Sequence, residues 1–164
     1  MAFDVFLKIA TIPGECTDDK HKDWIELLSY HHGVSQPTSG SASSGSRGSG
    51  RSDHQEFTVV KRIDKASPKL FLACCNGEHI NEITVELCRA TGDKQKYMVY
   101  KMSDVMVRSV RPGGSAKDAN EVPLEEIAFA YGKIEQEYVE TDHKTGKAKG
   151  SIKAHWSVVE NKGG

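Results

Sequence analysis

Ile63-Asp64-Lys65-Ala66-Ser67-Pro68-Lys69-Leu70-Phe71-Leu72-Ala73-Cys74-Cys75-Asn76-Gly77 governs the reading of the rest of the chain. Ser67 is a favoured helix N-cap, and Pro68 then falls at the first helical position, where its missing N–H costs nothing. Gly77 supplies the left-handed residue that stops a helix. The punctuation predicts one short helix over about residues 67–76. Nearly everything around it alternates apolar with polar residues, as half-buried strands do. A lone helix in a strand-rich chain predicts a mainly β protein in which the helix flanks packed sheets.

Working outward, Phe3, Val5, Leu7 and Ile9 share one face of a first strand, Phe3 to Ile9, which ends at the Pro13-Gly14 turn. Trp24 to Val34 reads as one long second strand and Gln55 to Arg62 as a third. Beyond the helix, Ile83 to Arg89 alternates cleanly, and the Gly92-Asp93 turn leads into Tyr97 to Met102. Val105 to Val110 continues that strand past a bulge expected at Ser103-Asp104. Pro112-Gly113-Gly114-Ser115 opens a polar connection. After the Lys/Gly-rich turn between Asp142 and Gly150, Ile152, Ala154, Trp156 and Val158 mark a last strand.

Leu124, Ile127, Tyr131, Ile134 and Tyr138 recur at intervals of three and four, which is a helical stripe. Periodicity alone therefore favours helix here, although Gly132 weakens it by about 1 kcal/mol relative to Ala. Between Thr38 and Gly50, ten of thirteen residues are Ser or Gly, a composition that cannot pack a core. With only 37 residues before it, this stretch reads as a flexible loop at about 35–54 inside one domain spanning 1–164.

The 164 residues carry a net charge of −1, with 22 basic and 23 acidic side chains spread along the length. There is no basic patch interleaved with aromatics, so nucleic acid is not an expected partner. No apolar run is long enough to cross a bilayer as a helix, so membrane insertion is not expected either. The N-terminus lacks the basic and apolar regions of a signal peptide. Cys16, Cys74, Cys75 and Cys88 read as small buried hydrophobes with free thiols. The seven histidines show no H-x-x-x-H spacing, and no C-x-x-C occurs, so no metal site or cofactor is expected. No nucleophile motif or phosphate cradle is present, and no enzyme is expected.

Taken in order, several segments resemble the haemolysin-coregulated protein (Hcp) family, the tube protein of bacterial type VI secretion. They are Phe3 to Ile9 leading to Pro13-Gly14-Glu15, then His21, then Ile25 to Tyr30 running into Gly33-Val34-Ser35-Gln36, and Phe57 to Lys61. The Asp64-Lys65-Ala66-Ser67-Pro68-Lys69-Leu70 helix start, the Tyr97 to Val110 region, Gly113-Gly114 and a closing Trp-containing strand complete the likeness. The resemblance implies a compact β-barrel of two packed sheets with one flanking helix, and a strand, not a helix, at Ile127 to Val139. It also implies homohexameric rings that stack into a hollow tube. That tube would be assembled in the bacterial cytoplasm and driven out by a sheath together with a spike. Small effectors would be carried in the lumen.

On this reading Leu28 and Tyr30 pack inside, whereas Ser29 and His31 face the lumen and meet cargo. Ser35, Gln36, Ser39, Gly40, Gly45, Arg47, Gly50 and His54 belong to a loop that reaches a neighbouring subunit or ring. The competing readings are a generic β-sandwich binding module and a hydrolase-like effector fused to the tube fold. The first would need exposed aromatics in a cleft. The second would need more chain than the few residues after about Glu160.

Overall fold

The computed structural model describes residues 2–39, 48–90, 92, 94–117 and 122–164, with the backbone alone for residues 39, 48 and 49. Thirteen strands and one helix follow one another along these residues. The first strands are β1 (Phe3–Ile9), β2 (Ile25–Leu27), β3 (Ser29–His31), β4 (Val34–Ser35) and β5 (Thr38–Ser39). Then come β6 (Gly48–Ser49), β7 (Asp53–His54), β8 (Phe57–Arg62) and helix α1 (Ser67–Asn76). The remaining strands are β9 (His79–Arg89), β10 (Lys96–Gly113), β11 (Leu124–Thr141), β12 (Ala148–Ser157) and β13 (Lys162–Gly163).

The mainly β architecture with packed sheets and one short helix matches the sequence reading. The strands pair in the order β13-β12-β11-β10-β9-β1-β2, with β8 bridging β11 and β3. All pairs are antiparallel. β10 and β11 have 18 residues each, about three times the usual strand length, so one strand serves two layers. The first half of β11 pairs β8 (Ile127 opposite Val59) and its second half pairs β12 (Tyr138 opposite Ile152), while β10 runs along its other edge.

Alternation places Val5, Leu7, Ile9, Ile25, Phe57, Val59, Ile83, Val85, Met102 and Ile127 in one continuous core. Helix α1 packs Leu70 and Ala73 onto it. Ile127 to Val139 is strand throughout, as the family likeness implies and against its helical stripe. β10 continues through Ser103-Asp104. Asp104 takes a left-handed φ of 52°, while the register shift lies between Val107 and Ser109. Gly132 sits where a Cβ would stand 2.8 Å from an Asp104 carboxylate oxygen, so no other residue fits without movement.

The helix begins one residue earlier than its capping pattern suggests. Ala66 is the N-cap, Ser67 is the first helical residue and Pro68 the second, whereas Gly77 ends the helix in the left-handed region as expected. The Ser67 hydroxyl is engaged elsewhere. It donates to Glu125 Oε1 (2.6 Å) and accepts from the Asp64 N–H (3.0 Å). Asp64 in turn accepts from the Ala66 N–H at 3.0 Å. The hub is Lys61, fully buried, whose ammonium pairs with Glu125, contacts Asp64 Oδ1 (2.9 Å) and donates to the Arg62 carbonyl (3.0 Å) and Ser67 Oγ (3.2 Å).

Three further expectations change. The second strand is broken into β2 and β3. The four cysteines are free, but only Cys16 and Cys88 are buried; Cys74 is half-buried and Cys75 exposed, because successive helical positions turn away from the core. The Ser/Gly-rich stretch is not simply an open loop at its described ends. Val34 pairs with His54 and Thr38 with Ser49, forming a two-stranded arm. Gly40, Gly45 and Arg47 lie outside the described residues.

Removing one partner of a buried pair strands the other charge in a low-dielectric site. Lys61→Met alone should therefore destabilise the protein by about 3–5 kcal/mol in urea unfolding. Adding Glu125→Leu should restore most of that loss; a single variant as stable as the parent would contradict this account.

Candidate functional site

Residues 25–35 carry the positions expected to meet cargo. Ile25 and Leu27 point into the core from β2, which pairs with β1. At Leu28 the chain changes partner: its N–H donates to the Val60 carbonyl (2.8 Å), and β3 then pairs with β8, with Ser29 opposite Val60. This change inserts one residue into the alternation. Leu28 is consequently 43% exposed, not packed inside, and Ser29 beside it is exposed as well. Tyr30 returns inward as expected, stacking on Phe57 at 5.8 Å and lying 5.7 Å from Tyr100. His31 points outward with Ser29. The structure thus places Ser29 and His31 together on the face away from the core.

His32 was not singled out by sequence. It turns into an aromatic cluster with Phe57, Tyr100 and Tyr131, at ring separations of 5.6, 6.2 and 5.8 Å. Tyr131 joins three segments. Its hydroxyl donates to the Gln55 carbonyl (3.3 Å), so His32 Nε2 (2.8 Å) and His54 Nδ1 (3.1 Å) each donate a proton to its oxygen. His54 Nε2 is then free to accept from Ser52 Oγ at 3.1 Å. His54, expected in a loop that reaches outward, instead fastens the base of the two-stranded arm to β11. Arg51 adds a bond to the Val158 carbonyl at 2.7 Å. Between the arm and β12 lies a cleft of about 530 Å³, lined by His32, Val34, Gln36, His54, Ile134 and Trp156 among others.

Burial depresses the His32 imidazole below its ordinary range, with the neighbouring His54 and His31 adding to the effect. Burial also depresses His54, against an opposing pull from Asp53. Burial pushes the Tyr131 phenol up to about 12. All three groups are neutral at pH 7.

A second histidine centre lies on the outer face of β1 and β9. The alternation that sends Val5, Leu7, Val85 and Leu87 inward leaves Phe6, Glu86 and Cys88 facing outward, with Phe6 opposite Glu86 in register. The segment from Cys16 to Trp24 folds over them through backbone bonds such as Cys16 N–H to Trp24 O and Asp23 N–H to Cys16 O, both 3.0 Å. It delivers His21, 2% exposed, stacked on Phe6 at 4.0 Å and meeting Trp24 edge-on at 4.7 Å. His21 Nδ1 lies 3.2 Å from Asp18 Oδ2, and Nε2 lies 2.8 Å from Glu86 Oε2 and 3.8 Å from Cys88 Sγ.

A thiol, an imidazole and a carboxylate in that order resemble an activated nucleophile. The electrostatics oppose it. Burial, helped by Glu86, Asp18 and Asp4, pushes the Cys88 thiol up to about 11, and Glu86 is nearer than the thiol to the imidazole nitrogen. No catalytic role follows from this centre.

The sequence profile described as "Type VI secretion system effector, Hcp" matches residues 6–138. "Protein hcp1" of Pseudomonas aeruginosa is 31% identical over 162 residues, covering 98% of each chain. A solved structure described as a type six secretion system protein superposes with a TM-score of 0.91 at 37% identity, over 99% of this chain and 100% of the other. Hcp1 from Salmonella typhimurium superposes with a TM-score of 0.81 at 33% identity, over 99% of each chain.

Depressed histidines favour the neutral form in the folded state, so their contribution is complete above about pH 6.5 and is lost as the pH falls below it. Amide protection in residues 33–36 and 50–55 should drop at least about threefold, after correction for intrinsic rates, between pH 7.5 and 5.5. His54→Asn should flatten that dependence. Protection that is equal at both pH values in the parent chain would contradict it.

Proposed function

The chain belongs to the Hcp family, a family of structural type VI secretion proteins and not of enzymes, and from that premise we propose that it is a ring-forming tube subunit. Six copies close head to tail, and the rings stack into a tube that is assembled in the bacterial cytoplasm. Sheath contraction drives the tube out with its spike, and small effectors ride against the lumen wall. The whole chain then acts as one domain. The observation that carries this reading is the end-to-end likeness to Hcp structures, in which 99% of this chain takes part.

The chain's own surface supports it. β12 is exposed over most of its length and is covered only towards its end, at His155 by Gly164 and at Trp156 and Ser157 by β13, leaving an edge that is unpaired among the described residues. Such an edge invites pairing unless a neighbour covers it. Tyr138 and Ile152 are cross-strand partners and are 48% and 74% exposed, an apolar pair suited to a subunit contact. A net charge of −1 lets copies approach without strong mutual repulsion. Ser29 and His31 form the cargo-facing wall: a small hydroxyl and an imidazole offer adaptable hydrogen bonds without a shaped pocket. The arm that carries Ser35, Gln36, Gly50 and His54 is anchored at its base by Tyr131 and is the part offered to an adjoining subunit or ring.

Light scattering of the purified protein should return six times the 18.0 kDa chain mass. A strictly monomeric species at micromolar concentration would overturn the ring. Ser29→Glu and His31→Glu should leave that mass unchanged and lower effector co-purification at least about tenfold, the scale of one lost charge-compatible contact. Shortening Ser39 to Gly50 should keep the subunit folded and weaken ring or tube formation. Unchanged ring mass, tube formation and secretion would make the segment a tolerated insertion.

A further inference from the structure

The His21 centre has more chemistry than a structural tether requires. Ordinary cross-strand fastening would be met by one histidine and one carboxylate. Here an imidazole, a carboxylate and a thiol converge: the ligand atoms of His21, Glu86 and Cys88 all lie within 4.8 Å of one another. Around a tetrahedral zinc ion, with bonds of about 2.0–2.3 Å, neighbouring ligand atoms stand about 3.3–3.8 Å apart. The His21 to Cys88 separation of 3.8 Å already fits, and the His21 to Glu86 separation of 2.8 Å needs to open by less than 1 Å. We propose that His21 Nε2, Glu86 and Cys88 Sγ form a binding site for a zinc-type divalent cation, with Asp18 as its orienting partner.

Three observations support the assignment. His21 Nδ1 lies 3.2 Å from Asp18 Oδ2, so Asp18 is placed to hold Nδ1–H once a cation replaces the proton between Nε2 and Glu86; metal-bound histidines are commonly held this way. The ring is further locked between Phe6 and Trp24, so the nitrogen cannot turn away. The three ligand residues also line a cleft of about 380 Å³ that continues to the surface past Lys94 and Lys96, giving an ion a route in and space for a water as fourth ligand.

The ligand set selects the ion. Imidazole and thiolate favour zinc and its neighbours over magnesium or calcium, which prefer oxygen alone. Binding displaces the thiol proton to solvent, and the cation takes the place of the proton between His21 Nε2 and Glu86. Lys94 lies 3.9 Å from Asp18 and Lys96 lies 3.7 Å from Glu86; both are half exposed, so their ammonium groups can swing outward as the cation enters. Cys88 is paired in register with Asp4 across β1, so the site ties the first strand, the Cys16–Trp24 segment and β9 together.

The test uses the full-length chain carrying Cys75→Ser, which removes the exposed thiol. Equilibrium dialysis should find one Co²⁺ per chain, with a near-ultraviolet thiolate-to-cobalt band that added Zn²⁺ abolishes. Cys88→Ser should remove the band, and Glu86→Gln and Asp18→Asn should each lower Zn²⁺ affinity at least about tenfold. Circular dichroism and particle mass establish that each variant is folded. Absence of stoichiometric Co²⁺ and Zn²⁺ binding overturns the site, as does a thiolate band that survives Cys88→Ser. Should Cys88→Ser fail to fold, Glu86, whose side chain is 14% exposed, decides: unchanged Zn²⁺ affinity in Glu86→Gln overturns the proposal.

Discussion

The buried pair between Lys61 and Glu125 is the constraint on which the rest of the architecture turns. Lys61 is the penultimate residue of β8 and Glu125 the second residue of β11, and they face each other in register. Neither reaches water, so each depends on the other and on the neighbours that complete its bonding. Those neighbours are Asp64 and Ser67, at the entrance to the helix. One electrostatic knot therefore sets the β8–β11 register, the turn that follows β8 and the point where α1 begins. A one-residue slip would leave a buried ammonium without its carboxylate, a far larger penalty than a misplaced apolar side chain.

The same knot explains why the helix was legible but its cap was not. Ser67-Pro68 and Gly77 carry strong local signals, and the helix does span residues 67–76. Ser67, however, has a more demanding partner than the helix terminus. Its hydroxyl satisfies Glu125, so the cap shifts to Ala66 and the turn is closed by Asp64. Local propensity located the element; a long-range charge decided how its end was made.

Two failures of alternation have one physical origin. In β11, inward positions run through Glu125, Ile127, Phe129 and Tyr131, and then resume at Ile134. The extra residue falls at Gly132–Lys133, where Asp104 crowds the strand and its partner changes from β8 to β12. A spacing of two interrupted once by three makes Ile127, Tyr131 and Ile134 look like a helix face. At Leu28 the same kind of phase change, as the chain moves from β1 to β8, leaves Leu28 and Ser29 both outward, so counting back from the inward Tyr30 misplaces the leucine. Strands that serve two layers must reset their phase, and single-sequence periodicity cannot see the partner that imposes the reset.

The histidines show the complementary limit. Ser29 and His31 were legible because their placement depends only on neighbours in one short strand. His32, His54 and Tyr131 meet across 77 and 99 residues, and His21 meets Glu86 across 65, so no spacing rule joins them. One signal was present: Glu86-x-Cys88 places two ligand types on the same face of a strand, the face opposite the one that Val85 and Leu87 bury. A strand with a buried apolar face and a buried polar outer face must have something folded over it, and here that cover is the segment that delivers His21. Both histidine centres therefore fasten irregular segments onto long, regular strands. This arrangement leaves the Ser29–His31 face, the arm and the open edge of β12 as exposed surfaces. Those are the surfaces through which a tube subunit would meet its cargo and its neighbours.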